Sequence, residues 1–392
     1  MKRKGNYVSG SFPQRKCEFF TAESGLISSK ALCLACTGDG TVYIGTDCGL
    51  SYTKADGSFG SFACPPVESI FAAKDSRVFF SCGKTLYIVE NGSISEMQSF
   101  EDEIVGISGE DRVFLMTPPM LYVLDGGEFV PYLDTEMPAK GLSCGCGRIV
   151  SFSERSLMVF AGKRKHWMCI FPEHSSYIYD NGCGWYGHNE INALPAEEIF
   201  SIDFTDDGRV ILGTEAGLAI IADGKVKHLP ATRWVCEEKV NAAVACKDGI
   251  WTATDSGVTK ISEQEMTLHK KADYFFDLAE KYYIRKLGYI TRLLNVKGGD
   301  LSSGTPQISD NDGLWTHTYL ASLAYCYAVT GDEKVLEAAR RSMNAMIFLT
   351  KVSGIKGFTA RAVRFEGEPG YGKNLDMQID GGEWHKSPDG KC

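Results

Sequence analysis

With 392 residues and 44% hydrophobic content, the chain is long enough for two folded domains with their own cores. Its formal net charge of -9 and the absence of any long lysine or arginine run argue against a nucleic-acid partner. We recognise neither a membrane-spanning apolar stretch nor a secretory leader, so we expect a cytoplasmic protein without a membrane partner.

The 14 cysteines are scattered, many in apolar stretches, where they behave as small hydrophobes suited to a reducing compartment. Cys33 and Cys36 have C-x-x-C spacing, but residues three apart on a strand point to opposite faces. "GCGWYG" at 182–187 matches a dinucleotide-binding pattern by letters alone, because no helical pattern follows it. We therefore predict no metal site and no cofactor.

An internal repeat dominates the first two thirds of the chain. Compare "DGTVYIGTDCGLSYTKADG" from Asp39, "DGRVILGTEAGLAIIADG" from Asp207 and "DGIWTATDSGVTKIS" from Asp248. In each copy, Asp-Gly favours a tight turn, an apolar strand follows, and a second turn leads into another strand. Weaker copies begin near Ser76, Asp111 and Gly147.

The spacing of the copies predicts a β-propeller. Their first strands recur about every 35 to 41 residues, with one longer step of about 60, which is the length of a four-stranded blade. Six copies predict six blades. The residues added by the longer step are either one insertion or a seventh blade. The N-terminal "KCEFFTAESGLIS" is predicted to complete the last blade and close the ring.

The segment "LPAEEIFSIDFTDDGRVILGTEAGLAII" resembles the two-component-regulator type of β-propeller, the sensor module of hybrid sensor kinases. The resemblance covers roughly residues 17–268. It implies ligand sensing or a structural partner surface. No membrane span or kinase domain follows in the sequence, so the sensor-kinase role is not carried over.

Beyond Lys270 the apolar period changes from 2 to 3.6, which predicts helices. The first is predicted to extend to about Leu294. A second begins near Asp312, and a third spans about Glu333 to Leu349. The first helix has these residues on one face: Ala272, Phe276, Ala279, Tyr283, Leu287, Ile290 and Leu294.

The second and third helices are predicted to form a hairpin. Gly331 ends the second helix, and Asp332 is a suitable N-cap for the third. The second helix is apolar on most sides, whereas the third has a charged outer face. This division is typical of the inner and outer helices of a toroid.

The stretches "DNDGLWT" and "GFTAR" resemble the six-hairpin, (α/α)-toroid domains of carbohydrate-active enzymes. The predicted organisation is therefore multi-domain, an all-β propeller at 1–268 and an all-α hairpin domain at 269–392. A toroid needs about twelve helices, more than the remaining residues can form. We expect an incomplete toroid, and a second chain that completes it and covers its exposed apolar faces.

The resemblance implies a sugar site at the start of the second helix. Asp312 would be the catalytic acid or base and Asp310 would orient it, although Ser309 and Asp312 also fit a capping box. Asp310 and Asp312 are too close in the sequence to flank a glycosidic bond from opposite sides, so another carboxylate is needed. The tail offers Glu366, Glu368, Asp376, Asp380 and Glu383.

Five further residues are candidates for substrate binding. Trp315 and Tyr319 share a helical stripe and could stack on sugar rings, or belong to the core. Arg361 and Arg364 could bind a uronic-acid carboxylate, or form surface ion pairs. His385 follows in a predicted loop, where it could bind substrate or be merely solvated.

The leading hypothesis is a carbohydrate-active protein, a glycoside hydrolase or polysaccharide lyase that takes an oligosaccharide ligand. The rival hypothesis is a non-catalytic, ligand-sensing or scaffolding propeller with a helical tail.

Overall fold

The computed structural model divides the chain into two compact units. The propeller unit is Gln14–Gln264, and the helical unit is Glu265–Cys392 with the N-terminal residues as far as Pro13. The structure describes residues 10–392 apart from 91, 136–138, 146, 154–155, 162–163, 170–195, 197, 206, 224, 232, 298–299 and 369–383, and between 156 and 169 it describes the backbone alone.

Short strands separated by tight turns make up the propeller unit, as the Asp-Gly repeats predict. In chain order they are β1 (Ser11–Phe20), β2 (Ala31–Cys36), β3 (Val42–Thr46), β4 (Gly49–Thr53), β5 (Phe59–Ala63), β6 (Ser69–Ala72), β7 (Val78–Cys82), β8 (Thr85–Glu90), β9 (Ser93–Ser99), β10 (Gly106–Gly109), β11 (Val113–Thr117), β12 (Met120–Asp125), β13 (Glu128–Asp134), β14 (Gly141–Gly145), β15 (Arg148–Phe152), β16 (Ser156–Ala161), β17 (Arg164–Cys169), β18 (Ile199–Phe204), β19 (Val210–Thr214), β20 (Gly217–Ala222), β21 (Lys225–Leu229), β22 (Ala242–Cys246), β23 (Gly249–Thr254) and β24 (Gly257–Thr267).

The strands form a β-propeller. Five blades are each built from four consecutive strands, from β2–β5 through to β18–β21. The closing sheet takes β22, β23 and β24 from the end of the unit and β1 from its beginning, in the order β1-β24-β23-β22. The first strand of each sheet contacts the first strand of the next, and β22 contacts β2, so the ring is closed. The N-terminal strand thus completes the last sheet, as the sequence predicts.

The longer step in the repeat is an insertion and not a seventh blade. Strand β14 of the fourth blade contacts β18 of the fifth blade directly, so no sheet lies between these two blades. Most of the added residues, 170–195, lie outside the described residues. The seven-blade alternative is wrong because a blade inserted at this point would separate β14 from β18.

Each pair of neighbouring sheets encloses its own cluster of buried apolar side chains. Ile44 and Trp251 pack between the first blade and the closing sheet. Leu50 and Phe80, both fully buried, pack between the first and second blades. Stacking of this kind supplies the core that one four-stranded blade cannot form alone.

The repeated Thr-x-x-Gly step has one structural role in three sheets. A buried threonine hydroxyl donates to the carbonyl oxygen of the glycine three residues later. A side chain on Gly49, the glycine of the first copy, would place its Cβ 2.5 Å from the carbonyl oxygen of Phe62 on the next strand. The pairs and distances are Thr46–Gly49 (2.8 Å), Thr214–Gly217 (2.8 Å) and Thr254–Gly257 (2.9 Å).

The helical unit contains fewer regular elements. The strands Arg292–Leu294 and Thr305–Gln307 pair with each other, and the helix Asp312–Thr330 packs against the helix Glu333–Lys351. The elements are α1 (Leu268–Leu278), which continues as a π-helical turn (Ala279–Tyr283), a 3-10 turn (Lys286–Gly288), β25 (Arg292–Leu294), a second 3-10 turn (Leu301–Ser303), β26 (Thr305–Gln307), α2 (Asp312–Thr330) and α3 (Glu333–Lys351).

The first predicted helix is too long. Helical structure ends at Tyr283, and Leu287 has a φ of 64°, outside the helical region. The chain turns at this point so that Tyr289 becomes fully buried and its hydroxyl donates to the Ala345 carbonyl oxygen at 2.7 Å. Tertiary packing has overridden the helical period, because apolar spacing does not distinguish a helix from such a turn.

The hairpin of α2 and α3 forms as predicted. Gly331 ends α2 with a φ of 68°, and the Asp332 side chain accepts a hydrogen bond from the Lys334 N–H at 2.9 Å. This is the one helical hairpin that the described part of the unit contains, so the (α/α) toroid is not confirmed. Among the described helices, none is both long and apolar enough to cross a membrane.

The face of α2 that points away from α3 is covered by no other described element. Its apolar side chains Leu314, Tyr325 and Val329 are 65%, 77% and 68% exposed. We call these three residues the α2 outer face. An apolar helix that is buried on one side alone is unusual in a water-exposed protein.

Candidate functional site

The turn before α2 positions the two predicted carboxylates differently. Asn311 is the N-cap and makes no side-chain cap hydrogen bond. The Asp312 carboxylate accepts from the Ser309 N–H at 3.2 Å, which is one half of the predicted capping box. The other half is absent, because the Ser309 hydroxyl accepts from the Asn311 N–H instead.

Asp312 is fully buried and forms an ion pair with Arg285. Its Oδ2 atom accepts from Arg285 Nη2 at 2.6 Å and from Arg285 Nε at 3.0 Å. Burial raises the pKa of Asp312 above its usual value, and the neighbouring guanidinium opposes the rise without cancelling it. This carboxylate is therefore held inside the fold and does not face solvent.

Arg285 joins three parts of the helical unit. Besides Asp312, it donates to the Glu368 carboxylate at 3.1 Å and to the Val363 carbonyl oxygen at 2.9 Å. Its guanidinium lies 4.8 Å from the centroid of the Tyr289 ring. We call Arg285, Asp312 and Glu368 the Arg285 anchor. Glu368, considered from sequence as a second catalytic carboxylate, is 9% exposed and belongs to this anchor.

Asp310 lies two residues away in a different environment. Its Oδ2 accepts from Arg361 Nη2 at 2.7 Å, and the two side chains are 60% and 72% exposed. The chain at Arg361 passes close to α2, where a Cβ added at Gly313 would be at an ordinary contact distance of 3.8 Å from the Arg361 carbonyl oxygen. The structure therefore brings together two of the predicted site residues on the surface.

Trp315 and Tyr319 are both partly buried. The Tyr319 hydroxyl donates to Glu280 at 2.7 Å, and Arg341 donates to the same carboxylate at 2.6 Å. Tyr319 also packs against the cluster formed by Leu323, Val335 and Ala338. Burial, followed by the Glu280 hydrogen bond, raises the pKa of Tyr319. These contacts agree with the core alternative for Tyr319.

The remaining predicted residues lie along the chain after α3. The Arg364 guanidinium is 4.8 Å from the centroid of the Trp384 ring, and His385 is exposed. Arg361 and Arg364 thus have different neighbours, a carboxylate for the first and an aromatic ring for the second. The other predicted carboxylates of the tail, at 376, 380 and 383, lie outside the described residues.

Sequence reasoning missed two exposed apolar side chains in the loop beside Arg361. Ile355 and Phe358 are 62% and 60% exposed, on a turn that the Ser353 hydroxyl closes by donating to the Phe358 carbonyl oxygen at 2.8 Å. The Ile355 N–H donates to the same hydroxyl at 3.2 Å. The glycines of "SGIKGFTAR" mark the loop, but they do not indicate which side chains face outward.

Within the described residues, no group of three or more His, Cys, Asp or Glu side chains could hold a metal ion. Cys33 is buried, Cys36 is partly buried, and both are free thiols. The "GCGWYG" stretch falls on residues outside the described part of the chain.

No protein-family model matches the sequence, and no curated protein matches it. The chain is similar in structure to streptogramin B lyase, with a TM-score of 0.50 and 11% identity over 64% of this chain and 98% of that one. It is also similar to virginiamycin B lyase from Staphylococcus aureus, with a TM-score of 0.51 and 11% identity over 64% and 99%.

The structural neighbours also include the extracellular domain of a putative hybrid two component system from B. thetaiotaomicron. Its TM-score is 0.48 and its identity 14%, over 64% of this chain and 40% of that one. At such low identities the comparisons define the class of fold alone. The chain contains a β-propeller, with a helical region that follows it.

Proposed function

We propose that this is a carbohydrate-active protein that contacts an oligosaccharide through the exposed pair of Asp310 and Arg361 in the helical unit. One observation carries the proposal: a carboxylate and a guanidinium lie 2.7 Å apart, and both remain largely exposed to solvent. Sugar hydroxyls can donate to the carboxylate. The other N–H donors of the guanidinium suit a uronic-acid carboxylate.

Two neighbouring features support this surface. The Arg285 anchor fixes the start of α2 from inside, so that Asp310 is presented from a rigid base. Phe358 offers an exposed aromatic ring three residues before Arg361, on a turn closed by Ser353. A flat apolar ring beside charged groups suits a sugar, which has C–H faces and a hydroxyl rim.

The catalytic part of the prediction is modified by this proposal. An acid or base must come within hydrogen-bonding reach of the glycosidic oxygen, and Asp312 is buried against Arg285. Asp312 is therefore proposed as a positioning residue, and Asp310 as the carboxylate that touches the sugar. Hydrolysis or lyase cleavage stays a prediction that needs a second carboxylate. Trp315, Arg364 and His385 stay predicted binding residues.

The test measures binding of uronic-acid and neutral oligosaccharides to the full chain by calorimetry. Asp310→Asn and Arg361→Gln should each weaken binding of the acidic sugars about 10- to 100-fold, which corresponds to one charged hydrogen bond. The matched control is Asp111→Asn, which breaks an exposed ion pair with Lys74 of similar length, 2.9 Å, in the propeller unit.

The rival function, a ligand-sensing or scaffolding propeller, has a distinct outcome in the same experiment. Sugar binding that is equal in the wild type and both helical-unit variants would remove Asp310 and Arg361 from recognition. Binding lost in Asp111→Asn alone would direct attention to the propeller unit. Failure of every oligosaccharide to bind would favour the scaffold.

Two further predictions, a second chain as partner and a cytoplasmic location, are also proposals. The exposed α2 outer face supports a second chain as the partner that completes the helical unit. A cytoplasmic location is supported by the cysteines, which are free thiols wherever the structure describes them. Cell fractionation with an antibody against the chain tests the location.

A further inference from the structure

Each sheet of the propeller unit ends in an outer edge strand. These strands are β5, β9, β13, β17, β21 and β1, which lie at the opposite end of each sheet from the strand that contacts the neighbouring sheets. The free side of an edge strand presents backbone N–H and C=O groups, and proteins usually protect such an edge with charged residues, proline or a bulge. An edge without this protection is a site where another strand can pair.

Of the six outer strands, whose backbones the structure describes in full, β5 alone lacks this protection. Its sequence is Phe-Gly-Ser-Phe-Ala, with no charge and no proline. Its pairing with β4 runs from Gly49 opposite Ala63 to Thr53 opposite Phe59 without a shift in register, whereas the pairings of β9 and β13 are each shifted once. The other five outer strands contain a charged residue or a proline: Lys16 in β1, Glu96 in β9, Pro131 in β13, Lys165 in β17 and Lys227 in β21.

The hairpin between β4 and β5 identifies the backbone groups on the free side of β5. The Lys54 N–H donates to the Ser58 carbonyl oxygen at 2.7 Å, so these two residues form a hydrogen-bonded pair at the start of the ladder. Such pairs alternate along an antiparallel ladder, so the second and fourth residues of β5 bond to β4. The first, third and fifth residues, Phe59, Ser61 and Ala63, therefore direct their N–H and C=O groups outward. The side chains of Ser61 and Ala63 are also exposed.

Two copies of β5 are complementary to each other when they run antiparallel about Ser61. In that register Ser61 lies opposite its own counterpart. Phe59 then lies opposite Ala63, so a large side chain meets a small one. Phe62 in turn lies opposite Gly60. All the outward backbone groups are matched in hydrogen-bonded pairs, which gives about six hydrogen bonds between the two strands.

We propose that β5 is a dimerisation edge, which pairs antiparallel with β5 of a second copy of this chain about a two-fold axis at Ser61. The two four-stranded sheets of the first blades then form one continuous sheet across the interface. A second copy suits this edge better than a charged peptide does, because β5 offers no charge to pair with one. The paired strands are only about 17 Å long, so the interface is small and the dimer is reversible, with a Kd of about 50 μM.

A row of aromatic rings on one face of the first blade supports this pairing. Tyr43, Tyr52 and Phe62 follow one another across β3, β4 and β5, with ring centroids 5.8 and 5.2 Å apart. Gly60 leaves space for the Tyr52 ring, because an added Cβ would overlap that ring. In the dimer the two Phe62 side chains are diagonal neighbours across the edge, so the row of rings continues into the second copy.

Residue-resolved hydrogen exchange of the full chain, at about 5 μM and about 500 μM protein, tests the dimer. The amides of Phe59, Ser61 and Ala63 should exchange about fourfold more slowly at the higher concentration, where about 80% of the chains are paired. The amides of the second and fourth residues of β5 already bond to β4 and should change less. Equal exchange of the three outward amides at both concentrations overturns the proposal. An extended peptide or another protein as the true occupant would give that result.

Matched variants show whether the pairing runs through Ser61. Ser61→Lys places two like charges opposite each other on the two-fold axis, so the concentration dependence should disappear while the melting temperature stays within about 2 °C. Ser95→Lys adds the same charge at an exposed position of β9 and should leave the concentration dependence intact. Ser61→Thr, which keeps the hydroxyl and favours strands, should also retain it. Persistence of the effect in Ser61→Lys, or an equal loss in Ser95→Lys, overturns the proposal.

Discussion

The two units of the chain bury their apolar surface in different ways. In the propeller unit, each sheet packs against two neighbours, and a buried cluster fills each interface. In the helical unit, α2 packs against α3 on one side and leaves its outer face exposed. The propeller unit has six similar apolar interfaces, whereas the helical unit combines two apolar clusters with the buried, charged Arg285 anchor.

This comparison of the two units predicts that the most destabilising single substitution is one in the Arg285 anchor. Arg285→Leu leaves the carboxylates of Asp312 and Glu368 buried without their cation, which should destabilise the helical unit by about 3 to 5 kcal/mol. Urea unfolding followed by the tryptophan fluorescence of that unit measures the loss. Arg361→Gln, at an exposed ion pair, is the control and should cost less than about 1 kcal/mol.

In the propeller unit, the largest expected loss of stability comes from substitution of a glycine in the repeated Thr-x-x-Gly step. Gly49 has a φ of 138° and would bring a Cβ to 2.5 Å from the Phe62 carbonyl oxygen, so Gly49→Ala should cost about 2 to 4 kcal/mol. Gly40 has a φ of 98° and open space around it, so Gly40→Ala should cost about 1 kcal/mol. Equal losses in thermal unfolding would show that the close approach does not matter.

The pKa of Asp312 gives a smaller effect with a definite sign. Because the folded-state pKa is raised, the folded protein binds this proton more readily than the unfolded chain. The contribution of Asp312 to stability should therefore increase as the pH falls from neutral through the folded-state pKa. It should level off below the unfolded-state value of about 3.9.

The variant Asp312→Asn isolates this effect. It leaves Arg285 with Glu368 as its charge partner, so it should be less damaging than Arg285→Leu. The difference in unfolding free energy between the wild type and Asp312→Asn should shift in favour of the wild type as the pH is lowered. A shift in the other direction would mean that the ion pair outweighs burial.

The smallest effect on stability is expected at the α2 outer face. Tyr325 is 77% exposed, so Tyr325→Lys should change the unfolding free energy by no more than about 0.5 kcal/mol. It should nevertheless reduce association of the protein, measured by light scattering after size exclusion. Lys334→Glu, at an exposed position in the first turn of α3, is the control for a charge change alone.

The sequence predicts the propeller well because the information is local and repeated. Each Asp-Gly turn and each Thr-x-x-Gly step carries its own signal, and the contribution of β1 to the closing sheet could be predicted from the apolar pattern near Phe20. The helix end at Tyr283 could not be predicted, because it depends on the burial of Tyr289 against α3.

The candidate site could be predicted only in part, because its pairings join residues that are distant in the sequence. Asp310 and Arg361 were both identified, but their pairing arises from a loop that returns to α2 after 51 residues. The role of Asp312 depends on Arg285, which lies in a stretch that has helical spacing. An arginine within the apolar run "YYIRKLGY" was the available signal, because a buried arginine requires carboxylate partners.

Hydrogen exchange with and without a bound uronic-acid oligosaccharide tests the proposed binding surface most directly. If the helical unit contacts the sugar, protection should appear at residues 309–314 and 353–361, while the propeller strands exchange at unchanged rates. Protection confined to the loops of the propeller unit would contradict the account and would place recognition in the propeller.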